Sequence, residues 1–188
     1  MGTRLAMVEA AAGLLDREGP AGVTLRAVAK AVGVSHNAPL KHFRDKEALL
    51  AAVAAAELRK LAEARLAVSP TLAPLTRVKR MLMVKMRWAL LRPQRFKLTY
   101  GAWSRPDEDL SHAAHEAREI FVQAVANAQS AGELPKGDPE RVASLMRAIT
   151  HGAVDLALSG HLDRKGKGRA DPQDLIEDLF VLLAARKG

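Results

Sequence analysis

Leu25-Arg26-Ala27-Val28-Ala29-Lys30-Ala31-Val32-Gly33-Val34-Ser35-His36-Asn37-Ala38-Pro39-Leu40-Lys41-His42-Phe43-Arg44-Asp45-Lys46-Glu47 carries two helix signals back to back around a glycine. Thr24 is an N-cap residue in front of Leu25, Val28, Ala29 and Val32, which recur at helical spacing. Gly33 permits the positive φ of a tight turn, Val34 supplies an apolar plug beneath it, and Ser35 is placed to cap a second short helix running to His42. Ala29 is small enough for the two helices to approach closely. This is the pattern of a helix-turn-helix, in which the first helix braces a second whose N-terminal residues enter the DNA major groove. Pro39 removes an N–H and disfavours helical geometry at Ala38, so the second helix is expected to open with a tight, 3₁₀-like turn.

Helix signals continue on both sides. Leu5, Val8, Ala12 and Leu15 make one face of a helix from Arg4 to Glu18, which Gly19-Pro20 stops. Asp45 is placed to cap a long helix over about 46–67. Beyond Ser69-Pro70, helices are expected at about 74–91, 94–103, 108–131, 138–160 and 172–186, with breaks at Arg92-Pro93, Arg105-Pro106 and the turn from Gly132 to Pro139. A glycine-basic loop, Arg164 to Arg169, is expected to be mobile. No period-two apolar run suggests a strand. The fold class is therefore all-α: three short N-terminal helices, one long connector and a C-terminal bundle.

The 188 residues include 48% hydrophobic side chains, enough for a packed core, so a disordered chain is not expected. Cysteine is absent, which excludes disulfide scaffolds, thiolate metal sites and cysteine nucleophiles, and fits a reducing, cytoplasmic setting. The longest wholly apolar run, Ala48 to Ala56, is nine residues, against the roughly 20 that cross a bilayer, so no membrane partner is expected. Glu9, Asp16 and Glu18 interrupt the first helix and argue against a signal peptide. Lys and Arg outnumber Asp and Glu by 29 to 21, a net charge of +8 that points to an anionic partner, nucleic acid first. No Ser-His-Asp order, phosphate loop or paired-carboxylate motif stands out, so neither a catalytic centre nor a cofactor is expected.

The string from Leu25 through Gly33-Val34-Ser35 to His42-Phe43, with Lys46-Glu47 and the leucines after it, resembles the DNA-binding domain of the TetR family of transcriptional regulators, over about residues 4–57. Leu91 to Leu98 is similar to a helix-proline-phenylalanine segment of the branch named for a Trp-His-Gly motif, where this chain reads Thr150-His151-Gly152. The resemblance implies a helix-turn-helix DNA-binding domain over 1–50 and a ligand-binding and dimerisation domain over 51–188. It also implies a homodimer on a palindromic double-stranded operator, acting as a repressor and released by an unidentified small-molecule effector.

Carried over by position, it makes Thr24 and Ser35 phosphate-contacting hydroxyls and His36, Asn37 and Ala38 the base-reading head, with Asn37 suited to adenine and Ala38 to a thymine methyl. Lys41, His42 and Lys46 flank the groove on phosphates, and Arg26 joins the DNA-facing set. Leu40 stands where the family carries a phosphate-contacting tyrosine. Phe43 is expected to be core. For the effector, Met83, Met86, Trp88, Phe96, Tyr100, Trp103, Phe121 and His151 are the candidate lining, against a plain core reading. For the dimer, Leu145, Ile149, Ala153 and Leu156 form one apolar stripe and Leu175, Leu179 and Leu182 another.

Two features admit other readings. Between Glu63 and Asp107 there is no acid, while Arg77, Lys79, Arg80, Lys85, Arg87, Arg92, Arg95 and Lys97 accumulate. A solvated outer stripe, paired with acids from Asp107 to Glu119, is the plainer account; a second nucleic-acid surface or an anionic-ligand entrance is the functional one. His112, His115, Glu116 and His151 have metal-like spacing, which keeps a helical metal-binding protein or enzyme as the rival reading.

Overall fold

The computed structural model describes residues 2–184. Among them lie eight α-helices: α1 Thr3–Gly22, α2 Leu25–Val32, α3 Lys46–Leu66, α4 Pro74–Leu91, α5 Pro93–Thr99, α6 Glu108–Ser130, α7 Pro139–Leu158 and α8 Pro172–Ala184. A 3₁₀ turn, Ala38–Lys41, stands between α2 and α3. The last two residues of the helix expected over 172–186 lie outside the described residues. Among the described residues no helix is long and apolar enough to cross a membrane.

Local chemistry explains the boundaries. Gly19, at φ +69°, breaks α1, and Pro20 starts the last turn afresh, so the stop read from Gly19-Pro20 is a kink. Thr24 accepts a hydrogen bond from the Ala27 amide at 3.0 Å. Gly33 ends α2 at φ +76° with its N–H on the carbonyls of Ala29 and Lys30. Asp45 Oδ1 takes the Ala48 amide at 2.9 Å and caps α3. The helix expected to 103 stops at Thr99, because Tyr100 and Gly101 turn back onto the Phe96 and Leu98 carbonyls.

The chain packs as two compact units that interleave in sequence. One is the chain up to Lys60 with Arg92–Glu116; the other is Leu61–Leu91 with the described residues from Ala117 on. α5 and the start of α6 thus belong to the first unit although they follow α4 in sequence. There, Met7, Leu15, Val28, Phe43, Leu49 and Val53 form a fully buried cluster, with Leu98 and Trp103 packed against it. Arg95 of α5 donates to Asp16 of α1 at 2.6 Å and to Glu57 of α3 at 2.9 Å. The Glu57 side chain is only 3% exposed, so removing Arg95 would strand a buried carboxylate and cost more than losing a surface ion pair.

In the second unit α4, α7 and α8 pack on one another. Val78, Met81, Leu82, Phe121, Met146 and Ile176 are buried there. Arg65 lies over the Phe121 ring at 5.0 Å and donates to the Ala117 carbonyl at 2.8 Å. The loop expected to be mobile is tied back instead: Arg164 grips Asp174 through two hydrogen bonds of 2.6–2.7 Å and meets Asp171 at 3.0 Å.

Lys85, expected on an outer stripe, is 2% exposed. It sits one turn from Met81 and from Ala89 on the inner face of α4, which puts its amine in the core. Burial, reinforced by the charges of Arg65 and Arg147, lowers its pKa from 10.5 to about 7. The unfolded chain therefore binds more protons than the folded one between those values, and stability should rise as pH climbs from about 7 toward 10.5. Lys85→Met should raise the melting temperature more at pH 6 than at pH 9; equal shifts at both would contradict a buried, titrating amine.

Candidate nucleic-acid interface

The candidate interface lies wholly in the first unit. The α2 cap and the segment after Gly33 bring Thr24, Arg26, Ser35, His36, Asn37, Lys41 and His42 to the surface, all exposed. Beneath them Pro39 is buried and Phe43 is 3% exposed. The Phe43 ring takes the Arg4 guanidinium on its face at 5.2 Å. Apolar anchoring under a polar, cationic rim is how a short element can present side chains to a polyanion.

The segment departs from expectation in its backbone. Only residues 38–41 form a helical turn, and it is 3₁₀ throughout rather than in its first turn alone. Pro39 has no N–H to offer the Ser35 carbonyl; the Ala38 amide takes that carbonyl instead at 2.9 Å, an i to i−3 bond. Asn37, not Ser35, is the residue before the turn, and it makes no side-chain cap bond. Ser35 is thus an exposed hydroxyl with its carbonyl, not its side chain, holding the turn.

Three further residues differ from the pattern read in the sequence. Ala38, expected outward, is half-buried and packs against the N-terminal core. The apolar side chain that stands out is Leu40, at 57% exposure. It shares a cleft of about 540 Å³ with Leu25, Arg26, His36 and Asn37. Lys46 is partly buried, and its Nζ donates to the Pro20 carbonyl at 2.5 Å, tying the start of α3 to the end of α1. Asp45, which caps α3, is also held by Arg105; the Ala48 amide first, then that guanidinium, keep its carboxyl below the usual range. Glu47 accepts from the Ser104 hydroxyl at 2.6 Å. The Arg105 and Ser104 contacts were not legible from the sequence, since they join positions nearly sixty residues apart.

Residues 7–53 match the family model for bacterial regulatory proteins of the tetR family, and residues 78–183 match that for the tetracyclin repressor-like C-terminal domain. The chain belongs to the TetR family of transcriptional regulators. No curated protein matches it. Among solved structures, a protein of unknown function from Rhodococcus sp. RHA1 is 29% identical, with 99% of this chain and 96% of that one covered and a TM-score of 0.84. FadR of Thermus thermophilus, a TetR family repressor solved with lauroyl-CoA, is 19% identical over 96% and 92% of the two chains, at TM-score 0.66. SmeT, repressor of the Stenotrophomonas maltophilia efflux pump SmeDEF, is 19% identical over 97% and 90%, at TM-score 0.67. The last two establish a shared TetR fold.

The residues expected around an effector do not gather in one unit. Met83, Met86, Trp88, Phe121 and His151 belong to the second unit, while Phe96, Tyr100 and Trp103 belong to the first. Trp103 packs on the DNA-binding core, and Phe96 stacks at a tilt on Tyr100, centroids 5.4 Å apart. Burial lowers the His151 pKa, helped by the positive charge of Lys85. Its neighbour Thr150 is fully buried and donates to the Met146 carbonyl at 2.8 Å. On α7 and α8, Leu145, Leu156 and Leu182 are exposed and Ile149, Leu175 and Leu179 half-buried. Ala153, expected on that face, is instead 2% exposed, packed inside with Leu162 and Ala170. His112, His115 and Glu116 are exposed on α6, and among the described residues no three His, Asp or Glu side chains form a metal cluster.

The two hydroxyls give a direct check on this geometry. Thr24→Ala removes an N-cap and should cost about 1 kcal/mol in urea unfolding, whereas Ser35→Ala should cost less than about 0.5 kcal/mol. A larger loss at Ser35 than at Thr24 would contradict the arrangement of the turn.

Proposed function

We propose that this TetR family member is a homodimeric, ligand-responsive repressor that reads a palindromic operator through residues 24–46. The observation that carries the reading is the exposed set from Thr24 to His42, mounted on buried Pro39 and Phe43 in a chain of net charge +8. Thr24, Ser35, Lys41 and His42 serve as phosphate contacts, with Lys46 contributing while it also braces α1. Arg26, His36 and Asn37 face base edges, and Asn37 suits adenine. Leu40 takes over the apolar role that the sequence suggested for Ala38: an exposed leucine beside His36 and Asn37 has the thymine methyl as its natural major-groove partner.

The exposed leucines of α7 and α8 support a dimer, since an apolar face of this kind favours a symmetric copy. Met86, Trp88, Phe121 and His151 are the proposed effector lining in the second unit. An effector there would bias α3, which runs through both units, toward a geometry that fits DNA poorly. Nothing observed favours the metal-binding rival.

Selecting duplexes from a random pool tests the reading. One palindromic site should be preferred by roughly 10³ or more over bulk duplex at fixed salt. Asn37→Ala should relax base preference, while Lys41→Ala should weaken all duplexes alike and lower the salt slope by about 1. Replacing one thymine per half-site with deoxyuridine, which lacks only the methyl, should weaken the wild type by about 1 kcal/mol and leave Leu40→Ala unaffected. Equal affinity for every duplex would defeat the operator reading; identical deoxyuridine effects in both proteins would remove only the Leu40 role.

A further inference from the structure

The acid-free tract between Glu63 and Asp107 is not explained by DNA reading, and the fold divides its cations into separate fates. Arg95 is spent on Asp16 and Glu57, and Lys85 is buried. Lys79, Arg80 and Arg87 instead line a concave groove of about 660 Å³ within the second unit, walled by α4 and α8 and closed by the segment before α4. That volume falls inside the range of small-molecule sites.

The helical repeat arranges the α4 wall. Arg80 and Arg87 lie two turns apart on one face, and Met83 and Val84 fall between them, one turn from each. A charged, apolar, charged row results, to which Lys79 adds a third cation and Leu72 more apolar surface. Across from it stands one acid, Glu177, whose Oε1 already accepts from Gln173 at 3.0 Å. Among the described residues no carboxylate lies within ion-pair distance of Lys79, Arg80 or Arg87. Three cations around an apolar floor complement a molecule that has an acidic head and a hydrocarbon body.

We infer that this α4–α8 groove binds a soluble anionic amphiphile, its acidic head held by Arg80 and Arg87 and its chain lying on Met83, Val84 and Leu72. The guanidinium forks pair with a carboxylate or phosphate oxygen pair through charge-assisted hydrogen bonds. The inference rests on this groove alone and stands apart from the operator reading.

Calorimetric titration of the full chain with decanoate, decanol and decyltrimethylammonium tests it. Decanoate should bind at one site per chain and weaken as salt rises, and the alcohol and the ammonium should bind about tenfold more weakly or worse. Arg80→Gln with Arg87→Gln should weaken decanoate about tenfold or more, with unchanged circular dichroism. Thr76→Glu, which puts an acid on the groove wall at an exposed position, should do the same and serves if the double variant does not fold. Equal affinity for the alcohol and the acid, an undiminished affinity in these variants, or no binding at all would overturn the assignment. So would capture of the chain by anionic phospholipid vesicles that the same variants abolish, since the partner would then be a membrane surface.

Discussion

A single 3₁₀ turn cannot hold itself together in water, so everything presented by residues 35–42 depends on the burial of Pro39 and on Phe43, which packs in the core of α1, α2 and α3. Phe43 is the larger anchor. It closes the core shared with Val28, Leu49 and Val53, and one face of its ring is covered by the Arg4 guanidinium. Burying such a ring contributes on the order of 2 kcal/mol, more than any hydrogen bond in the turn supplies. The turn is held in place by what lies under it.

The same unit shows how charge organises a TetR head. Asp45 does two things at once: it caps α3 and holds Arg105. Arg95 likewise ties α1, α3 and α5 through Asp16 and Glu57. These links make residues 92–116 part of the head's packing although they follow α4 in sequence. A substitution there should therefore be judged by what it does to the head as well as to any effector site.

Much of this was legible in the chain. Helical spacing located α1, α2, α4, α6 and α7 to within a few residues, and Thr24, Gly33 and Asp45 marked caps that the structure contains, because capping depends on neighbours a few positions away. Pro39 signalled a 3₁₀ turn for the same reason, although the missing N–H affected the whole element and cost Ser35 its capping role. What escaped was set by distant partners. Trp103 was grouped with Phe121 and His151 yet belongs to the first unit and packs on its core, Ala153 looked like an interface residue yet lies inside, and Lys85 looked like part of a solvated stripe. The spacing of Lys85 from Met81 and Ala89 was the one local signal that it faces inward.

Hydrogen–deuterium exchange of the full-length chain, with and without a duplex selected by it, tests most directly that this buried anchor serves a DNA-reading surface. Amides from Thr24 to Lys46 should slow on adding the duplex, with the largest change across residues 35–42. Unchanged exchange there, with protection confined to α4, α7 or α8, would contradict the account.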